Sequence, residues 1–266
     1  MRRPTWAPEG VDIERPSPAR MYDYVLGGSH NFAVDRQLCA QAMQLMPDLV
    51  PHVHGSRAFL RRAVSFCVEA GIHQFLDLGS GIPTRGNVHE IVQRTAPEAQ
   101  VMYVDIDPVA VVHSREILAG NDRARVLQAD LRRPEQILAH PEVRRMLDFD
   151  RPMAVLMVGV LHFIMEDPTG IVAAFQDAMA PGSYLAISHL SPETRPEKMA
   201  EAMQMSQRGG LDAMPRSRAE VERFFAGFEL VEPGLVWAHE WRPEPPHGEA
   251  GDLDQPFILG CVGRKP

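Results

Sequence analysis

The chain has 266 residues, 45% hydrophobic and 23% charged, enough to bury a sizeable core in one α/β domain with an extra segment. Its formal charge of -8 argues against a general nucleic-acid surface, because phosphate binding needs clustered Lys and Arg. No run of about 18 apolar residues is present to span a membrane, and residues 1–10 lack the apolar run of a secretory signal. Three scattered cysteines, Cys39, Cys67 and Cys261, fit neither a disulfide framework nor metal or cluster spacing, so a reducing cytoplasm is expected.

Residues 1–19 are Pro-rich and polar and read as an extended arm. The run Met21-Tyr22-Asp23-Tyr24-Val25-Leu26 meets a Gly27-Gly28 break, followed by a predicted helix from Asn31 to Met46 that Pro47 and Pro51 punctuate. Phe59, Leu60, Ala63, Val64, Phe66 and Cys67 recur at helical spacing, predicting a helix that ends near Gly71. The first 55 residues are therefore assigned to a helical arm and lid, and residues 56–266 to the main domain.

From Gln74 onward the rhythm alternates. Strands are predicted at 74–78, 101–104, 124–128, 153–160 and 183–188, with helices at 88–94, 109–118, 134–140 and 171–179 between them. Such alternation implies a doubly wound α/β fold, a mostly parallel sheet covered on both faces. Residues 191–216 are polar and Met-rich and read as a helical insertion over the active face. Ser217 and Glu220 form a capping box for a helix over 218–225. Leu230–Val236 and Phe257–Val262 then predict a C-terminal antiparallel hairpin at the sheet edge.

The chemistry concentrates at the ends of the first strands. Asp77-Leu-Gly79-Ser80-Gly81 is a Gly-rich turn between strand and helix, where a ligand can approach the backbone closely. Asp105 ends the second strand about two dozen residues on, where a carboxylate can accept both hydroxyls of an unphosphorylated ribose. Asp107 reads instead as an N-cap, with Pro108 at the first helical position. Asp130, after the third strand, is placed to accept an adenine amino group.

These three acids and the Gly-rich turn resemble the cofactor motifs of class I S-adenosylmethionine methyltransferases, which carry a Rossmann-like sheet. The resemblance implies that Asp77 and the turn surround the methionine part, that Asp105 holds ribose and that Asp130 meets adenine. Pro83 and Thr84 occupy the candidate positions of a third glycine, a departure from that pattern. A narrower resemblance spans nearly the whole chain. Pro18-Ala-Arg-Met-Tyr-Asp-Tyr-Val-Leu-Gly-Gly-Ser-His-Asn-Phe-Ala-Val-Asp-Arg36, Asp77-Leu-Gly-Ser-Gly-Ile-Pro-Thr84, Val104-Asp-Ile-Asp-Pro108, Val160-Leu-His-Phe163 and Leu185-Ala-Ile-Ser-His189 resemble a small methyltransferase family first catalogued as a domain of unknown function. In that family the Pro83-Thr84 departure is expected.

The expected cofactor-binding residues are Arg20, Tyr22, Asp77, Gly79, Ser80, Gly81, Asp105, Ile106, Asp130, Leu131 and Val160, with Arg20 meeting the cofactor carboxylate. An activated sulfonium methyl needs only an aligned acceptor, so positioning and desolvation can supply about 7–11 kcal/mol. His162 and His189, at the ends of the fourth and fifth strands, are the candidate bases. The expected acceptor is a small molecule, with no nucleic-acid or membrane partner. His52-Val-His54 is too sparse for a metal site and reads as a surface loop, so no metal is expected. An NAD-dependent oxidoreductase and a non-catalytic S-adenosylmethionine sensor remain alternatives, because Asp105 would serve either adenosine ribose.

Overall fold

The computed structural model describes residues 4–83, 86–243 and 253–266. The arm contributes α1 (Pro18–Val25) and α2 (Ala33–Leu45). Helix α1 ends on Gly27, at φ +81°, with Gly28 N–H donating to the Asp23 carbonyl at 2.8 Å and Gly27 N–H to that of Tyr24 at 3.0 Å. This pairing is a Schellman end, which the left-handed glycine permits. Gly28 is required for a second reason, since a Cβ there would lie 2.0 Å from Asp23 Oδ1. The Asp23 carboxylate accepts from His30 N–H and Asn31 Nδ2, both at 2.9 Å, so the Gly-Gly break is a fixed turn.

Helix α3 (Leu49–Glu69) starts earlier than its apolar spacing predicts. Pro51 falls in its first turn, where the missing N–H has no intrahelical partner to lose, so it does not interrupt the helix. The helix runs through residue 55, joining the arm to the cover of the sheet.

The alternating elements follow as β1 (Gln74–Leu78), α4 (Val88–Thr95), β2 (Gln100–Asp105), α5 (Pro108–Ile117) and β3 (Ala124–Gln128). The predicted helix over 134–140 is two short ones, α6 (Pro134–Leu138) and α7 (Pro141–Met146), each started by a proline. Then come β4 (Ala154–Val158), a 3-10 turn (Leu161–Phe163), α8 (Thr169–Ala178), β5 (Tyr184–Leu190), α9 (Pro196–Arg208) and α10 (Arg218–Arg223). The chain ends with β6 (Glu229–Leu230), β7 (Val236–Trp237) and β8 (Ile258–Arg264).

Among the described residues one eight-stranded sheet forms in the order β3-β2-β1-β4-β5-β8-β6, with β7 also on β8. Strands β1 to β5 are parallel and β8 runs antiparallel to β5. The predicted strand over 230–236 is instead two short pairings on the outer edge of β8. Phe75, Tyr103, Leu156 and Ala186 face α3 and α4, while Leu76, Val104, Val155 and Ile187 face α7, α8 and α10. Two apolar layers on one sheet account for the near-continuous hydrophobic strands.

The order reverses between β1 and β4, which opens the binding crevice of such sheets at their carboxyl ends. Helix α3 secures one wall of it. Phe59 is fully buried there and meets Trp241 edge-on at 5.5 Å between ring centroids. Phe59→Ala should cost about 3–5 kcal/mol, read as a lower urea midpoint at unchanged slope.

Candidate cofactor site and its flanking histidines

At the switch point the loops after β1 and β4 touch. A Cβ on Gly79 (φ +71°) would lie 2.3 Å from Val160 Cγ2, so this position is closed to any larger residue. Gly79 and Ser80 donate their N–H groups to the Val104 carbonyl at 2.8 and 3.2 Å, folding the turn back over β2.

Asp105 lies directly beneath this turn and is 6% exposed. Its Oδ2 accepts from Gly81 N–H at 2.7 Å and its Oδ1 from Asp107 N–H at 2.8 Å. Burial still pushes its carboxyl up to about 6, against the pull of those N–H groups. Ile106 follows at 57% exposure, an apolar side chain left open beside a buried acid. Asp107 caps α5, accepting from Val109 N–H at 2.7 Å as its spacing predicts.

Asp77 sits in β1 opposite Tyr103 and is also buried. Burial raises it to about 7, the Arg57 charge opposes that rise, and Asp105 adds to it. A cavity of about 10 Å³, room for about one water, opens beside it among Arg57, Ser80, His89 and Tyr103. Arg57 reaches Gly86 O and Asn87 Oδ1 at 3.2 Å each, leaving its buried Nε without a partner. Ser80 Oγ is likewise buried and unpartnered. Tyr22 leans onto the same side of α3, its hydroxyl 3.5 Å from the Val53 carbonyl, and burial raises it. Arg57 is not legible in the sequence, because the apolar spacing of α3 begins at Phe59 and gives no sign that Arg57 faces Asp77.

At the far side Asp130 is partly open and its oxygens bond the Arg132 guanidinium at 2.7–3.1 Å, which holds it below the ordinary carboxylate range. Leu131 is buried under the same loop. Arg20 does not reach this crevice as a free cation. Its guanidinium bonds Asp35 at 2.9 Å, Asp107 at 3.4 Å and the Arg15 carbonyl.

The two histidines differ. Strand β5 extends through Leu190, so His189 lies inside it and is completely buried. Its Nδ1 donates to the Leu190 carbonyl at 2.8 Å and its Nε2 accepts from Arg216 Nη1 at 3.1 Å. Burial lowers it to about 4, and both ring nitrogens are occupied. His162, in the turn after β4, is 7% exposed with a buried, unpartnered Nδ1. Burial, then His189 and Arg216, hold it well below the ordinary imidazole range.

Sequence reasoning missed Arg216. It donates to the carbonyls of Leu161, Ile164 and Glu166 at 3.1, 2.9 and 2.7 Å, fixing the loop that carries His162. Nothing in its local pattern marks that role, because its partners lie about 50 residues away.

His52 and His54 belong to α3 rather than a surface loop. His52 is buried, bonds the Asp48 carbonyl through Nδ1 at 2.8 Å and stacks on Phe257 at 4.1 Å. Among the described residues no group of three His, Cys, Asp or Glu gathers for a metal, and no helix is long and apolar enough to cross a membrane. In the Met-rich stretch, Met199 packs with Met46 and Phe257, seating α9 against α2. Thr84 lies outside the described residues.

A parallel sheet with a glycine turn over a buried acid, next to an exposed apolar residue, defines a protein that binds an adenosine-bearing cofactor at the carboxyl ends of its strands. The S-adenosyl methyltransferase family model matches residues 4–266, and the chain belongs to that family. It is 42% identical to a candidate methyltransferase from Thermobifida fusca, over 98% of this chain and 99% of that one, with a TM-score of 0.92. It is 37% identical to a DUF574-family protein from Streptomyces avermitilis, over 96% and 99%, with a TM-score of 0.91. No curated protein matches it. The chain is thus a methyltransferase, and its cofactor is S-adenosylmethionine.

The residues fit that cofactor. Asp77 and Asp105 are acids without a counter-charge in hydrogen-bonding contact, and Ser80 and Arg57 keep unused donors. Both carboxyls stand above the 3.8 of a free side chain, so the unliganded fold loses stability as pH rises from about 4 towards 7. Partners that favour the charged carboxylates reverse this, so cofactor binding should release protons below neutrality and tighten as pH rises to about 7. Calorimetry of S-adenosylhomocysteine at pH 6 in buffers of different ionisation enthalpy measures the release, and Asp105→Asn should diminish it.

Proposed function

We propose that the enzyme transfers its methyl group by in-line displacement to a small-molecule acceptor held beyond Val160, next to His162. The carrying observation is His162 itself, a buried imidazole with one nitrogen lacking any partner. Its ring is only 7% exposed and its Nδ1 is covered, so the space beside it suits a small hydroxyl or amine rather than a macromolecule. The chain's charge of -8 supports the same choice over a nucleic acid.

S-adenosylmethionine, when bound, supplies a methyl group already activated on a sulfonium sulfur. In this proposal Asp105 accepts the ribose hydroxyls and Ile106 offers its open apolar surface to adenine, with Asp130 and Leu131 at the adenine edge. Asp77, Gly79, Ser80 and Gly81 surround the methionine part, Arg57 supplies the cation there, and Tyr22 covers it from α1. Val160 closes the floor between cofactor and acceptor. His162 stays neutral at physiological pH, so its free Nδ1 can accept a hydrogen bond from the acceptor and steer a lone pair towards the methyl group. His189 has no free nitrogen and serves through Arg216 to hold the loop.

The protein is further proposed to work in the cytoplasm. Its three cysteines are free and buried, and burial raises all three thiols, which suits a reducing compartment.

His162→Asn should lower turnover about 10²-fold or more while leaving S-adenosylhomocysteine affinity within about twofold. Turnover can be followed by label transfer from methyl-labelled S-adenosylmethionine in small-molecule extracts. Unchanged turnover, or label appearing only on added RNA or protein, would refute the proposal.

A further inference from the structure

We infer that the N-terminal arm is a clamp on the ribose-binding acid, and that Arg20 is a positioning residue for cofactor binding rather than a ligand of the cofactor. This rests on the assignment of Asp105 to the ribose.

Asp105 is oriented by two side-chain-accepting bonds, from Gly81 N–H and Asp107 N–H. The arm holds both donors. Asp107 donates its N–H to Asp105, while its own Oδ2 accepts from the Ser17 hydroxyl and from Arg20 Nη1 at 3.4 Å. Arg20 is anchored in turn by Asp35, whose two oxygens also take Ser17 N–H at 2.9 Å and Phe32 N–H at 2.7 Å. Arg20, Asp35 and Asp107 are 4%, 0% and 7% exposed, so water cannot substitute for a lost partner.

The other donor is held by packing. Ile82 adjoins Gly81 and is buried in one cluster with Val11 and Phe32 of the arm and with Val109 and Ala110 of α5. The arm therefore grips the loop after β1 through an apolar contact and the loop after β2 through an ion pair. Displacing the arm would let Gly81 N–H and Asp107 N–H move apart, and the Asp105 carboxylate would lose its fixed orientation.

The clamp also fixes charge. Arg20 is the cation that bonds Asp107, and the charge of Asp107 raises the Asp105 carboxyl against the larger pull of the Asp107 N–H. The other charged neighbours of Asp105 are Asp77 on β1 and, beyond it, Arg57 on α3. Replacing Arg20 by a neutral residue leaves Asp107 less compensated and raises Asp105 further. The pH below which cofactor affinity falls should then move upward, an effect that loss of packing alone would not produce.

The test is calorimetric titration of the full chain with S-adenosylhomocysteine and with 5′-methylthioadenosine, which keeps the ribose and lacks the amino-acid end. Arg20→Gln should weaken both ligands by the same factor, about tenfold, at unchanged stoichiometry and with the upward pH shift. Arg20→Lys should recover part of the loss. Ser17→Ala, which keeps the ion pair, should weaken both ligands a few-fold and serves if Arg20→Gln does not fold. Weakening of S-adenosylhomocysteine alone would place Arg20 on the methionine carboxylate and overturn the clamp. So would unchanged affinity, or reduced stoichiometry at unchanged affinity, which marks a folding role. If Asp105→Asn leaves both affinities intact, the ribose assignment itself fails and the clamp falls with it.

Discussion

A buried carboxylate at the end of β2 governs the organisation of this site. Asp105 holds a charge that burial disfavours, and the fold compensates with N–H groups from two different loops. Those loops must then keep a fixed separation. Gly79 lets the first pass within contact of Val160, and the cap at Asp107 sets the second at the start of α5. The crevice is assembled around an incompletely satisfied anion, which gives a polar ligand with hydroxyl donors a ready place to bind.

Charge is distributed unevenly for an acidic chain. Among the described residues, Arg57 lies beside Asp77 and Arg216 beneath the loop after β4. They act differently. Arg57 moderates a buried acid and retains an unused donor, while Arg216 bonds three carbonyls and a neutral imidazole without a carboxylate in contact. Its field helps to keep His162 and His189 uncharged. The Asp77–Asp105 side of the crevice is thus anionic and the His162 side mildly cationic.

Local pattern revealed what local pattern determines. The parallel strands, the cap at Asp107 and the box at Ser217 and Glu220 were all legible, because each depends on residues within a few positions. The acids at the ends of β1, β2 and β3 were also legible, since strand ends in such a sheet converge on one edge. Long-range partners were not. Arg20 reads as a free cation until Asp35 and Asp107 are seen around it, and His189 reads as a strand-end base until Arg216 is seen on its Nε2. The start of α3 is not legible, because Pro51 reads as a stop although the first turn of a helix tolerates it.

The most direct measurement is a crystal structure with S-adenosylhomocysteine bound. The ribose hydroxyls should lie within hydrogen-bonding distance of the Asp105 carboxylate, with adenine against Ile106 and the arm still docked through Arg20 and Asp107. A ribose placed away from Asp105, or a methionine carboxylate paired directly with Arg20, would contradict the central role given to the buried acid and its clamp.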